Sequence, residues 1–211
     1  MKKRQTLITR LAVSHRSIAG RLLLLTLLLF TTAAQATLTQ TIALTEGWNW
    51  VSFNVDITLD DLKAALVAAE LGSGTTIKSQ SQSSTYNGAR WRGPLNSLDL
   101  TQMYRIKVVN ACEITLEGEP INPAEQIVTI KQDDNRQGDN WIGFPLNESM
   151  TVTNAFAGFA ISGDVIRSKT EFAVYTGIRW RGTLQYLTPG QGYVYESATN
   201  DERTFVFPIS Y

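Results

Sequence analysis

The sequence is poor in the side chains from which most enzymes and metal sites are built. It has one cysteine and one histidine in 211 residues. The single Cys112 excludes an intramolecular disulfide. It alternates with Ile114 and Leu116, which predicts a buried, unreactive thiol on the apolar face of a strand. An intermolecular disulfide is the other reading, open to an exported chain. The only histidine, His15, lies in a stretch expected to be removed. What remains cannot build a Ser-His-Asp triad, a Cys-His pair or a histidine-ligated zinc site. There is no glycine-rich phosphate loop, no dinucleotide fingerprint and no adjacent arginine pair of the twin-arginine kind. No cofactor and no metal is expected.

The stretch holding His15 reads as a signal peptide over residues 1–36. Lys2, Lys3, Arg4, Arg10, Arg16 and Arg21 give a basic start with no acidic residue. Leu22 to Phe30 is almost wholly apolar, and Ala34-Gln35-Ala36 puts small residues where a signal peptidase reads. The apolar run is well short of the roughly 20 residues that span a bilayer. Cleavage after Ala36 is therefore expected, with an uncleaved anchor as the alternative, and no membrane span remains afterwards. No cysteine closely follows the apolar run, as a lipoprotein would need. The implied location is the periplasm, the cell surface or the medium. Cleavage removes six of the 19 basic residues and none of the 19 acidic ones, leaving a formal net charge of −6. That balance argues against nucleic acid and anionic membrane as partners.

What the chain does have is internal repetition. Arg90-Trp91-Arg92-Gly93 recurs as Arg179-Trp180-Arg181-Gly182, 89 positions on. Ile77-Lys78-Ser79 matches Ile166-Arg167-Ser168 at the same offset, as Tyr86 and Tyr104 match Tyr175 and Tyr193. Gly47-Trp48-Asn49-Trp50 matches Gly138-Asp139-Asn140-Trp141 at an offset of 91. Two copies of one unit follow, over residues 37–124 and 125–211.

Within each unit the patterning predicts mostly strands. Thr41 to Thr45 and Trp50 to Val55 alternate, as a first hairpin would. Ile127 to Lys131 opens the second unit, and Asp133 to Gly138 is a turn that resembles a calcium loop only superficially. Phe144 stands where such a loop needs a bidentate Glu. Thr58 is a predicted N-cap for a helix with Leu59, Leu62, Leu66 and Ala69 on one stripe and Gly72 as its stop. Thr151 caps a weaker copy with Val152, Phe156 and Phe159. Ile77 to Tyr86 and Ile166 to Tyr175 read as strands, and Asn87-Gly88 as a two-residue hairpin turn. A last hairpin pairs Tyr104 to Val109 with Cys112 to Glu117, and Tyr193 to Glu196 with Thr204 to Phe207. The expected fold class is α+β, mostly β. It consists of two homologous small antiparallel barrel- or sandwich-like repeats, each with one short helix, packed as a pseudo-twofold pair.

The chain resembles small β-rich repeat modules of bacterial secreted and cell-surface proteins. These open on Gly-Trp-Asn-(Trp or Leu)-(Val or Ile)-Ser, continue through Trp-x-Gly-x-Leu and close on Pro-Gly-x-Gly-Tyr. The matching stretches are Gly47 to Ser52, Trp91 to Leu95, Trp180 to Leu184 and Pro189 to Tyr193. The first unit departs at Leu100 to Tyr104, which lacks the Pro-Gly turn, and the second has Asp139 in place of Trp48. The resemblance implies an accessory, surface-associated role and no catalytic residues.

Candidate contact residues are therefore Arg90, Trp91, Arg92, Arg179, Trp180, Arg181 and the unmatched Trp48. One reading has the indoles meeting a sugar ring and the arginines meeting acidic groups. The other has the indoles packed in their own units, with the arginines stacked over aromatics or paired with carboxylates. The expected function is a non-catalytic exported binding or adhesion module for a polysaccharide or protein surface. The alternative is a structural part of an exported assembly. A hydrolase would need two carboxylates from a set including Glu113, Glu117, Glu119, Asp164, Glu171 and Glu196.

Overall fold

The computed structural model describes residues 37–131 and 138–208. The proposed signal peptide, and all but the last residue of the acidic turn at 133–138, lie outside them.

Every strand pairing among the described residues is antiparallel. The first half runs β1 (Leu38–Leu44), β2 (Gly47–Val51), α1 (Leu59–Ala68), β3 (Thr76–Lys78), β4 (Ser83–Tyr86), β5 (Trp91–Arg92), β6 (Tyr104–Val108) and β7 (Cys112–Gly118). The second runs β8 (Val128–Ile130), β9 (Asp139–Ile142), β10 (Met150–Thr151), α2 (Val152–Ala155), β11 (Val165–Arg167), β12 (Phe172–Tyr175), β13 (Trp180–Gly182), β14 (Tyr186–Leu187), β15 (Tyr193–Glu196) and β16 (Arg203–Phe205). Two five-stranded sheets have the orders β2-β6-β3-β4-β5 and β9-β15-β11-β12-β13. Two-stranded sheets join β1 to β7, β8 to β16, and β10 to β14. Among the described residues no sheet closes on itself, so the barrel half of the expectation gives way to open sheets.

The expected first and last hairpins do not form. Strand β1 pairs with β7 and β2 with β6, so consecutive strands arch between two sheets. The repeated asparagine explains the first arch. Asn49 Oδ1 accepts from the Thr45 N–H and hydroxyl, while Nδ2 donates to the carbonyls of Thr45, Gly47 and Ile106. Gly47, at φ +87°, supplies the backbone bend. In the second half Asn140 Oδ1 accepts from the Lys131 N–H, and Nδ2 donates to the Gly138 and Tyr195 carbonyls. A side chain that satisfies backbone groups at the bend removes the need for a hairpin turn.

Each predicted strand from Ile77 to Tyr86 and from Ile166 to Tyr175 is broken into two by a tight turn. The Ser79 N–H donates to Gln82 O, and its hydroxyl accepts from the Gln82 N–H. Ser168 does the same with Glu171. The Asn87-Gly88 turn is longer than predicted: Tyr86 pairs with Trp91, leaving four residues between them. Asn87 Oδ1 accepts from the N–H groups of Ala89 and Arg90, which holds this wider loop.

Helix α1 begins as predicted. Thr58 and Asp61 form a reciprocal capping box, and Leu59, Leu62 and Leu66 are buried. Hydrogen bonds from the Thr58 hydroxyl and N–H hold the Asp61 carboxyl below its usual range. The helix stops before Gly72, at Ala69, and Glu70 takes the left-handed backbone at φ +56°. Gly72 packs instead of capping, since a Cβ there would lie 3.0 Å from Val109 Cβ. Helix α2 is only four residues long, with Thr151 accepting from the Asn154 N–H.

Each half has its own core. Aliphatic residues dominate the first, around Leu62, Leu66, Ile77 and Ile106. The second is richer in aromatic rings, and Phe156 lies within 5.0–6.1 Å of Tyr195, Phe205, Trp180 and Phe207. A third, small cluster of Met103, Trp141 and Val194 with Trp50 marks the junction. Backbone bonds cross it in both directions: the Ser52 N–H donates to Gly190 O and the Gly143 N–H to Thr101 O. Gln80 adds a side-chain bridge, donating to Asp139 O and accepting from the Trp141 N–H along the β9 edge.

Candidate functional site

The two Arg-Trp-Arg-Gly segments sit on β5 and β13, the far edges of their sheets. They are not brought together. In both, the indole turns inward. Trp91 is half-buried against the first core, 5.6 Å from the Tyr86 ring, and its Nε1 has no partner among the described residues. Trp180 packs against Tyr175, Phe156 and Tyr195. The glycine of each motif is fixed by close packing. A Cβ on Gly93 or Gly182 would lie 2.1 Å from the carbonyl oxygen of Ser83 or Phe172, and both have positive φ. Arg90, Arg92, Arg179 and Arg181 are exposed, and none has an ion-pair partner among the described residues.

Trp48 is at the opposite edge of the first sheet and is 40% exposed. The register aligns it with Arg92. Trp48 faces Lys107, Lys107 faces Thr76, Thr76 faces Thr85, and Thr85 faces Arg92. That row crosses five strands, roughly 19 Å at the usual strand spacing. A second row runs Trp50, Arg105, Lys78 and Ser83. The alternate residues, Asn49, Val51, Tyr104, Ile106 and Ile77, are buried, so both rows lie on the outer face. That face holds Lys78, Arg92, Arg105 and Lys107, two indoles and three hydroxyls, and no carboxylate. The Thr76 and Thr85 hydroxyls are 3.0 Å apart.

Arg105 is the residue that reading the sequence missed. Its guanidinium lies 4.5 Å from the Trp50 ring and 4.2 Å from the Trp141 ring, held between two indoles at the junction. Burial pushes its pKa down; Asp139 opposes the shift and Arg167 adds to it. It makes no hydrogen bond or ion pair among the described residues, and its Nε is buried without a partner. The alternation of Tyr104 to Val108 places Arg105 on the outer face, but only the non-local pairing puts two tryptophans around it.

The second sheet carries different chemistry in the same register. Asp139 faces Glu196, as Trp48 faces Lys107. Arg167 pairs with both carboxylates, at 2.9 Å from Asp139. Burial raises the Glu196 pKa, and Arg167 opposes that rise. Arg167 is thus held between two carboxylates of its own sheet, while Arg181, in the same row as Asp139 and Glu196, has no ion-pair partner among the described residues.

The other candidate carboxylates do not gather. Glu113 and Glu117 are exposed four residues apart on β7, Glu119 is exposed just beyond that strand, and Glu171 is exposed on a turn of the second half. Asp164 is fully buried and accepts from the Tyr195 hydroxyl, the Ile161 and Ala198 N–H groups and Arg203. This is a structural knot: Arg203 in turn stacks over Phe159 at 4.5 Å. Burial drives the Tyr195 hydroxyl pKa strongly upward, with Asp164 adding to the shift. Cys112 is half-buried, and burial raises its pKa. Two open clefts flank the junction, of about 590 Å³ beside Gln80 and Asp139 and about 380 Å³ beside Asn49 and Gln191. Among the described residues, no group of three His, Cys, Asp or Glu could hold a metal ion, and no helix is long and apolar enough to cross a membrane. Comparison with family models, curated proteins and solved structures finds no match.

Proposed function

We propose that the chain is a doubled, exported, non-catalytic module that binds a glycan or protein surface through aromatic and cationic side chains. The observation that carries this reading is the outer face of the first sheet, where exposed Trp48 shares a row with Lys107 and Arg92. Indoles beside ammonium and guanidinium groups that lack ion-pair partners among the described residues suit recognition, not bond-breaking. The doubling is supported by the matching strand orders and by the reciprocal bonds from Ser52 and Gly143. On this reading Trp91, Trp180, Gly93 and Gly182 hold the sheets, and the arginines beside them face outward.

Acrylamide quenching of tryptophan fluorescence, with and without candidate polysaccharides and cell-surface fractions, tests the proposal. A ligand that covers the face lowers the quenchable fraction, and Trp48→Phe abolishes that change. Quenching unaltered by every candidate would remove the glycan reading. A second reading, an assembly component, is favoured by the exposed Phe172, Ile178 and Tyr186 of the second half. It predicts a stoichiometric protein partner that is lost on Phe172→Ser.

A further inference from the structure

The two outer faces differ in one respect that points to a ligand class. On the second sheet, Arg167 pairs with both Asp139 and Glu196, and Arg181 alone on that face lacks a carboxylate partner among the described residues. On the first, Trp48 and Lys107 occupy the corresponding register positions, and Lys78 corresponds to Arg167. The carboxylates have been exchanged for an indole and a third cation. Four cations on this face then have no ion-pair partner among the described residues. Unmatched charge on a chain whose residues beyond 36 are net acidic needs a reason.

We infer that this face binds an acidic polysaccharide, with a sugar ring on the Trp48 indole and its carboxylates on Lys107, Lys78 and Arg92. The inference rests on the binding-module reading and specifies its ligand. Spacing separates this ligand from nucleic acid. Lys107 and Arg92 are three strands apart, roughly 14 Å. Duplex nucleic acid carries a charge about every 1.7 Å of its axis, far denser than four cations spread over roughly 19 Å of sheet can match. A polysaccharide with one carboxylate per sugar or per two sugars meets the cations without that crowding. The Thr76, Thr85 and Ser83 hydroxyls lie between the cations, where sugar hydroxyls need partners. Arg105 is already held flat by two indoles, so little side-chain freedom is lost when it meets a carboxylate. The acidic remainder of the protein is screened beyond about 8 Å at physiological salt, so binding is local and weakens as salt rises.

The test titrates the whole chain with polygalacturonate, a neutral β-glucan and double-stranded DNA, by calorimetry at low and high salt. Polygalacturonate is expected to bind, salt-sensitively, and the other two to bind at least tenfold more weakly. Lys107→Glu and Arg92→Glu should each cost about tenfold, the scale of one lost charge-assisted contact. Arg181→Glu, at the corresponding place on the second sheet, should change nothing. Unaltered circular dichroism and melting temperature show that these exposed substitutions leave the fold intact. Trp48-dependent binding of the neutral glucan alone would overturn the acidic ligand and leave the binding module standing. DNA bound as tightly as polygalacturonate would reduce the face to a general polyanion site and overturn the inference. Binding to none of the three would overturn it as well, and quenching by cell-surface fractions would then decide whether the broader reading survives.

Discussion

The two five-stranded sheets share strand order and register, yet they handle charge in opposite ways. The second closes its ions on each other through Asp139, Arg167 and Glu196, and it ties Asp164 to Arg203 beneath the surface. The first leaves Lys78, Arg92 and Lys107 without carboxylate partners and puts Ile106 where the second has Tyr195. Strand order and pairing register are alike in the two sheets, while their outward side chains differ. What the halves share is therefore scaffold: the arch asparagines, the positive-φ glycines and the inward indoles. What they do not share is where a function specific to one half would reside.

That contrast can be broken in stability measurements. The largest effect should come from Asp164→Ala, which strands Arg203, the Tyr195 hydroxyl and two N–H groups in the core. A loss of about 3–5 kcal/mol in urea unfolding is expected. Thr75→Ala, in the first half, removes one hydroxyl bond to Gly72 O and should cost about 1 kcal/mol. Equal losses would show that the second half's buried knot carries no special weight. Gly93→Ala and Gly182→Ala test sameness. Each puts a Cβ onto a backbone carbonyl oxygen, and each should cost about 2–3 kcal/mol. A large inequality would mean that the two edges are not equivalent.

At the junction, Arg105→Ala should cost about 1–2 kcal/mol through the lost stack on Trp50 and Trp141. It should also shift tryptophan emission, which exposed Lys107→Ala should not. The smallest effect concerns Glu196. Its carboxyl is raised by burial, with Arg167 opposing and Asp139 reinforcing. The folded state thus holds this proton more tightly than the unfolded chain. Its contribution to stability is present below the unfolded carboxylate value, about 4.3, and is lost as pH rises through the folded one. Glu196→Gln should remove that slope. With Arg167 42% exposed, the whole effect should stay under about 1 kcal/mol.

Local chemistry was legible in the sequence. Thr58 and Asp61 are three residues apart, and their capping box needs nothing else. Alternation marked the strands, and the expectation of a mostly β chain with two helices holds. Partnership was not legible. Asn49 holds the arch from inside Thr41 to Val51, but an asparagine there does not by itself tell an arch from a hairpin turn, and that β1 pairs with β7 and β2 with β6 depends on strands more than fifty positions away. The same limit hid the basic face. Trp48, Lys78, Arg92 and Lys107 are scattered over sixty positions and become neighbours only through the order of five strands. The repeated tetrapeptide drew attention because it recurs, yet its indoles pack inward and its glycines hold sheet edges.

The Gln80 bridge has a consequence for how these molecules behave in a crowd. Its amide both gives and takes a hydrogen bond along β9, as a neighbouring peptide unit would. A strand margin plugged this way offers no starting point for another chain to zip onto, which is the first step toward fibres. The matching place on the other turn is Lys169, an ammonium that can give but not take. Against the first sheet, that sealing falls to the Pro-Gly turn, whose backbone bonds to Trp50 and Ser52. On the proposed reading, a molecule that meets other surfaces by its faces thus has its β2 and β9 margins shut.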